Sequence, residues 1–217
     1  MILIFDLDDT LYDELTYVRS GFRAVAEWGE RALGLAVDAS FAQLNEIHDR
    51  DGRGRIFDVW LNGRAPVREA VRAYRHHTPH IKLWDSARHV LSTFRDRPLY
   101  IVTDGHKVVQ DKKLTALQVR RHVRHAYITH RYGVAHAKPS TFCFELIARR
   151  EGRPLSDLVY VGDNPAKDFV GLNAAGAHTI RVLTGQHRNV TARPGFDAQH
   201  RLHHLDLLPS LLKELSP

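Results

Sequence analysis

The chain has 217 residues, 43% of them hydrophobic and 26% charged, with one cysteine and a formal net charge of +6. That balance excludes a disordered chain and leaves enough apolar mass for one large domain, or for a core carrying a smaller insertion. Cys143 alone excludes an internal disulfide and suits a reducing compartment, no apolar run approaches the ~20 residues of a membrane span, and no leader precedes the first apolar run, so a cytoplasmic location is expected.

The first element is Met1-Ile2-Leu3-Ile4-Phe5, a short apolar run of the kind that forms a strand buried on both faces. Helical spacing follows at Leu15, Val18, Phe22 and Val25. Ser40 with Gln43 forms a capping-box signature ahead of Phe41, Leu44 and Ile47, and Pro66 opens a further helix through Val67, Ala70, Val71 and Tyr74. Residues 14–82 are therefore expected to be all-helical. From residue 84 helices alternate with short apolar runs, the pattern of crossover units feeding a parallel sheet. Strands are expected at 99–103, 125–129, 158–161 and 178–182, with a weaker one near 198–202. Helices are expected near 85–95, 107–118, 140–151, 165–175 and 206–215. The first strand needs this sheet for its burial, which makes an α/β core of residues 1–13 and 83–217 with a helical insertion at 14–82 and hinges near 12–15 and 79–85.

Polar groups gather at the ends of the predicted strands. Asp6-Leu7-Asp8-Asp9-Thr10 follows the first, Thr103-Asp104-Gly105 the second, and Gly162-Asp163-Asn164-Pro165-Ala166-Lys167-Asp168 the fourth; Lys138-Pro139 lies a short loop beyond the third. In a parallel sheet these ends share one edge, where ligands bind. Asp6, Asp8, Asp163 and Asp168 beside one lysine make an anionic site that calls for a divalent cation, and oxygen-only ligands favour Mg²⁺. Asp6 and Asp163 each offer a carboxylate oxygen to it, and Asp8 its backbone carbonyl. With the cation in place, Asp6 can attack phosphorus to form an aspartyl phosphate, and Asp8 can protonate the leaving oxygen and later deprotonate water. Thr103, the backbone around Asp104 and Gly105, and Lys138 would hold the phosphoryl oxygens.

Taken together, these four motifs resemble those of the haloacid dehalogenase superfamily, in the family's order and over residues 1–12 and 84–182. The resemblance implies a Rossmann-like three-layer core, Mg²⁺, Asp6 as nucleophile, Asp8 as acid and base, Asp163 as metal ligand and Asp168 as its second or water-mediated partner. It also implies that the helical insertion is a cap of the family's first subclass. The dehalogenase branch lacks an acid two positions after its nucleophile. Asp8 therefore disfavours carbon–halogen cleavage and points to a phosphatase acting on a small phosphorylated metabolite.

A phosphomutase using the same intermediate is the nearest alternative, and a silent binding or regulatory protein on the same fold ranks below it. A calcium loop is disfavoured by Leu11 where its glycine would stand; a phosphoacceptor receiver has no place for the helical insertion. Lys and Arg are dispersed, and the cluster Arg120-Arg121-His122-Val123-Arg124-His125 lacks a recognition motif, so no nucleic-acid partner is expected. The histidine groups 76–80 and 200–204 lack a zinc signature. Asp51-Gly52-Arg53-Gly54-Arg55 reads as a cationic loop of the insertion, and the hypothesis is that Arg53 or Arg55 meets the distal part of the substrate. Oligomeric state is not readable from the sequence.

Overall fold

The computed structural model describes residues 1–215. Among them, β1 (Ile2–Phe5), β2 (Leu99–Thr103), β3 (His125–Ile128), β4 (Leu158–Gly162), β5 (His178–Val182) and β6 (His200–Leu202) form one sheet in the order β3-β2-β1-β4-β5-β6. Every pairing is parallel, with Phe5 level with Ile101 on one side and Val161 on the other. Alternation sends Ile2, Ile4, Tyr100, Val102, Leu158 and Tyr160 to one face. There they pack with Phe144 and Ile147 of α7 (Phe142–Glu151) and Leu172 of α8 (Val170–Ala174). Leu3, Phe5, Ile101, Val159 and Val161 on the other face are equally buried. Burial on both faces is why these strands read as continuous apolar runs.

The chain divides into two compact units, one of Met1–Glu14 with the chain from Lys82 onward, the other Leu15–Ile81. The first holds the sheet, the helices just named, α5 (Asp85–Thr93), α6 (Lys107–Ala116) and α9 (Leu208–Glu214). The second holds nearly all of α1 (Glu14–Leu33), then α2 (Val37–Asp51), α3 (Ile56–Leu61) and α4 (Val67–His76), around a core of Val18, Phe22, Val25, Leu44, Ile47, Trp60, Leu61 and Ala70. Among the described residues no helix is long and apolar enough to cross a membrane.

Two local expectations are corrected. Ser40 does not cap a helix; it lies one turn inside α2, buried, with its N–H donating to the Ala36 carbonyl. The helix expected at 165–175 is confined to Val170–Ala174. Asn164 turns the chain first, its side-chain oxygen accepting the Ala166 N–H and its own N–H donating to Asp168, as short polar side chains do in competition with a helix.

Candidate active site

The strand order reverses at β1, whose neighbours β2 and β4 lead away in opposite directions, and a crevice at such a point lies beyond the carboxyl ends of the strands. Asp6 follows β1 there, its N–H donating to the Val161 carbonyl at 2.8 Å. Thr103 ends β2, and Asp163 follows β4. The loop after β3 delivers Lys138.

Lys138 is the electrostatic centre. Its ammonium is fully buried and lies 2.8 Å from Asp6 Oδ1 and 2.7 Å from Asp168 Oδ1, and it donates to the Tyr160 hydroxyl at 2.8 Å. The carboxylates of Asp6, Asp163 and Asp168 each offer an oxygen within 4.8 Å of the others, and all three residues are buried. Three buried carboxylates thus share one buried ammonium, with the part-exposed Lys167, itself paired with Asp104, also near Asp6. Burial pushes Asp6 up to about 7, against the pull of Lys138 and with Asp168 adding to the rise. Burial, then Asp168 and Asp6, push Asp163 up to about 9. Burial would lower Lys138, but Asp168 and Asp6 hold it well above its ordinary value. An oxygen-only trio short of positive charge fits a hard divalent cation such as Mg²⁺. Gly162 makes the trio possible: a Cβ there would stand 2.6 Å from Asp168 Oδ2.

Asp8 lies apart from the trio. Its Oδ1 accepts the Tyr12 hydroxyl at 2.5 Å and the Lys113 ammonium at 2.8 Å, and its Oδ2 accepts the Gln110 amide at 2.9 Å. Asp9 has a positive φ of 53° and serves the backbone. Its carboxylate accepts the N–H groups of Glu14 and Gln186, and its carbonyl accepts the Thr184 hydroxyl.

Thr103 joins the Asp8 group through Gln110, whose amide reaches Thr103 Oγ1 at 2.6 Å. Asp104 is a tether. One oxygen accepts the Thr129 hydroxyl at 2.7 Å and the Lys138 N–H at 3.2 Å, and the other lies 3.1 Å from the Lys167 ammonium. Burial pushes its carboxyl up, but Lys138 and Lys167 outweigh that and hold it below the usual range. Gly105, with φ 127°, turns the chain toward α6. Arg53 and Arg55 lie in the second unit, exposed on the turn between α2 and α3.

Sequence reasoning missed Tyr12, Gln110, Lys113, Thr129, Tyr160 and Lys167. Gln110 and Lys113 carried a faint signal, two polar residues one turn apart on the helix that directly follows the Thr103 motif. His77, by contrast, is buried among the rings of Tyr17 and Tyr74. Cys143 is buried, and burial pushes its thiol up to about 11, away from nucleophilic use.

The family model described as haloacid dehalogenase-like hydrolase matches residues 1–176. The chain belongs to the haloacid dehalogenase-like hydrolases. A glyceraldehyde 3-phosphate phosphatase of Methanopyrus kandleri is 31% identical over 98% of each chain. A phosphoserine phosphatase of Thermus thermophilus is 28% identical over 85% of this chain and 89% of its own. Among solved structures, a 2-haloacid dehalogenase from Pseudomonas syringae superposes with a TM-score of 0.70 at 20% identity, covering 100% of both chains. That last likeness speaks to the hydrolase fold, not to the reaction.

Proposed function

We propose that this haloacid dehalogenase-like hydrolase is a Mg²⁺-dependent phosphatase that acts on a small phosphomonoester through an aspartyl phosphate on Asp6. The observation that carries the reading is the Asp6 carboxylate at the end of β1, held 2.8 Å from a buried lysine and sharing its pocket with Asp163 and Asp168. Lys138 draws charge from Asp6 and fixes its rotamer, so the carboxylate meets phosphorus pre-oriented. Asp8 protonates the departing oxygen and then takes a proton from the attacking water, a contribution of about 10² to 10⁴ in rate. Thr103, the backbone around Asp104 and Gly105, and Lys138 receive the phosphoryl oxygens, joined by the ammonium of Lys167, which is tied to Asp104. Asp6, Asp163, the Asp8 carbonyl and, through water, Asp168 would hold Mg²⁺, which supplies charge neutralisation for the incoming phosphate dianion.

The names of the relatives support a phosphatase and direct the substrate search to three-carbon phosphate esters, glyceraldehyde 3-phosphate and phosphoserine first. The helical unit of residues 15–81 serves in this reading as the cap that selects the leaving group, with Arg53 or Arg55 as its contact to the distal part of the substrate. Unchanged Michaelis constants after alanine replacement of both arginines would remove them from that role.

A screen for phosphate release from a metabolite panel with Mg²⁺, run beside Asp6→Asn, tests the reading. Turnover in the native chain and none in the variant is expected. Full activity in Asp6→Asn overturns the nucleophile, and an isomer appearing in place of free phosphate overturns hydrolysis.

A further inference from the structure

Tyr12, Gln110 and Lys113 hold the Asp8 carboxylate and Glu14 in turn holds Lys113, four side chains with no role in the phosphoryl transfer proposed above. Lys113 is 3% exposed and, besides its 2.8 Å contact with Asp8 Oδ1, lies 3.0 Å from Glu14. A buried ammonium carries a desolvation cost that an exposed lysine avoids, and its pairing with two carboxylates offsets that cost here. Gln110 is 1% exposed and divides its amide between Asp8 Oδ2 and Thr103 Oγ1. Tyr12 completes the set on Oδ1.

The two oxygens of Asp8 are consequently unequal. Oδ1 receives a hydroxyl and an ammonium, which occupy both of its lone pairs. Oδ2 receives one amide, and the side chain as a whole is 20% exposed. The Gln110 bridge sets Oδ2 on the Thr103 side, where the phosphatase reading places the phosphoryl group.

We propose that Gln110 and Lys113 are positioning residues that fix the Asp8 carboxyl so that Oδ2 is the oxygen that gives its proton to the leaving group. The proposal deepens the phosphatase reading and rests on it. In the step concerned, an Asp6 carboxylate oxygen bonds to phosphorus while the bond from phosphorus to the alcohol oxygen breaks. Its electron pair stays on that oxygen, and the proton on Asp8 Oδ2 moves to it. Lys113 removes the freedom to rotate by holding Oδ1, and Gln110 sets the distance to Thr103. A carboxyl misplaced by about 1 Å loses on the order of 10² in rate.

Leaving-group dependence separates this role from a merely structural one. The test compares the first turnover of the native chain, Lys113→Met and Gln110→Met on p-nitrophenyl phosphate, whose phenolate leaves without a proton, with that on the three-carbon ester most active in the screen. With the alkyl ester each variant is expected to slow alcohol release about 10²-fold. With p-nitrophenyl phosphate each should keep a burst of one nitrophenolate per enzyme within about threefold of the native rate, and Lys113→Arg should recover part of the alkyl rate. Equal losses on both esters, or no loss on either, overturn the proposal. Lys113→Met strands Asp8 and Glu14 in the interior; if it does not fold, the neutral Gln110→Met exchange decides by the same comparison. A native chain that releases phosphate from neither ester instead brings down the phosphatase reading, and this proposal with it.

Discussion

Lys138 and Asp168 meet at 2.7 Å with both side chains wholly out of solvent, and the same ammonium reaches Asp6 at 2.8 Å. Removing one partner of a buried ion pair leaves uncompensated charge and costs about 3 to 5 kcal/mol. Lys138→Met is therefore expected to lower the thermal midpoint by on the order of 10 °C for a chain of this size and to abolish phosphate release. The loss in midpoint should shrink at pH 5, where protonation of Asp6, already pushed up to about 7 beside Lys138, relieves its repulsion with Asp168. Thermal unfolding of both proteins at pH 5 and pH 8 measures it; an equal loss at both would show that the ion pair contributes little.

Asp163 gives the metal-free protein a definite pH dependence. Its carboxyl is pushed up to about 9 from an unfolded value of 3.8, so between those limits the native state holds a proton that the unfolded chain releases. Stability then falls as pH rises through that window. Mg²⁺ binds the ionised form and opposes the trend, stabilising only the folded chain. The midpoint without metal should drop from pH 5.5 to pH 8.5, the increment from Mg²⁺ should be larger at pH 8.5, and Asp163→Asn should flatten both. A metal increment that does not grow with pH would count against Asp163 as a ligand.

The parts of the site legible in the sequence are those that topology assembles. Asp6, Thr103 and Asp163 lie at the ends of adjacent parallel strands, so recognising three short apolar runs was enough to place their residues at one edge. Lys138 was legible only through its motif, since a lone lysine before a proline is ordinarily solvated. Gln110 and Lys113 were only faintly legible because a helix directs side chains by its rotation about its axis, and α6 shows weak amphipathicity from which that rotation cannot be read. The backbone of Asp104 stays part of the proposed phosphate cradle, while its carboxylate turns to Thr129, the Lys138 backbone and Lys167, a choice made by neighbours distant in the chain and unreadable from its position in the sequence. The helix expected from residue 165 starts only at Val170, because the Asn164 side chain and N–H hold a turn through Ala166 and Asp168 first.

Gly162 is the last residue of β4, directly before Asp163 of the trio. A methyl group at this position would sit 2.6 Å from Asp168 Oδ2 and 3.2 Å from the Tyr160 ring. Overpacking of this kind costs about 1 to 3 kcal/mol, and here relief requires moving the carboxylate that holds Lys138. Gly162→Ala should lower stability by that amount and kcat by at least tenfold, with a smaller change in KM. Urea titration and steady-state kinetics test it, and native kcat in a destabilised variant would show that Asp168 does not act through Lys138.

Lys167 is the part-exposed ammonium of the site. Lys138 is 0% exposed and committed to Asp6 and Asp168, whereas Lys167 is 34% exposed, lies 3.1 Å from Asp104, and is close enough to Asp6 to favour its ionised form. A phosphate dianion entering from solvent should therefore meet Lys167 first, at an ammonium held by a single long contact that it can exchange for phosphoryl oxygen. Lys167→Met is expected to raise KM about tenfold, since a charge-assisted contact contributes roughly 1.5 to 3 kcal/mol where solvent is excluded and less where, as here, it is partly admitted. Because Lys167 acts on ground state and transition state alike, kcat should change by less than about threefold. The variant should also lose part of the decline of kcat/KM with ionic strength that a chain of formal charge +6 should show toward an anionic substrate. An equal fall in kcat with KM unmoved would place Lys167 in the transition state instead, stabilising charge that develops only as the phosphoryl group transfers.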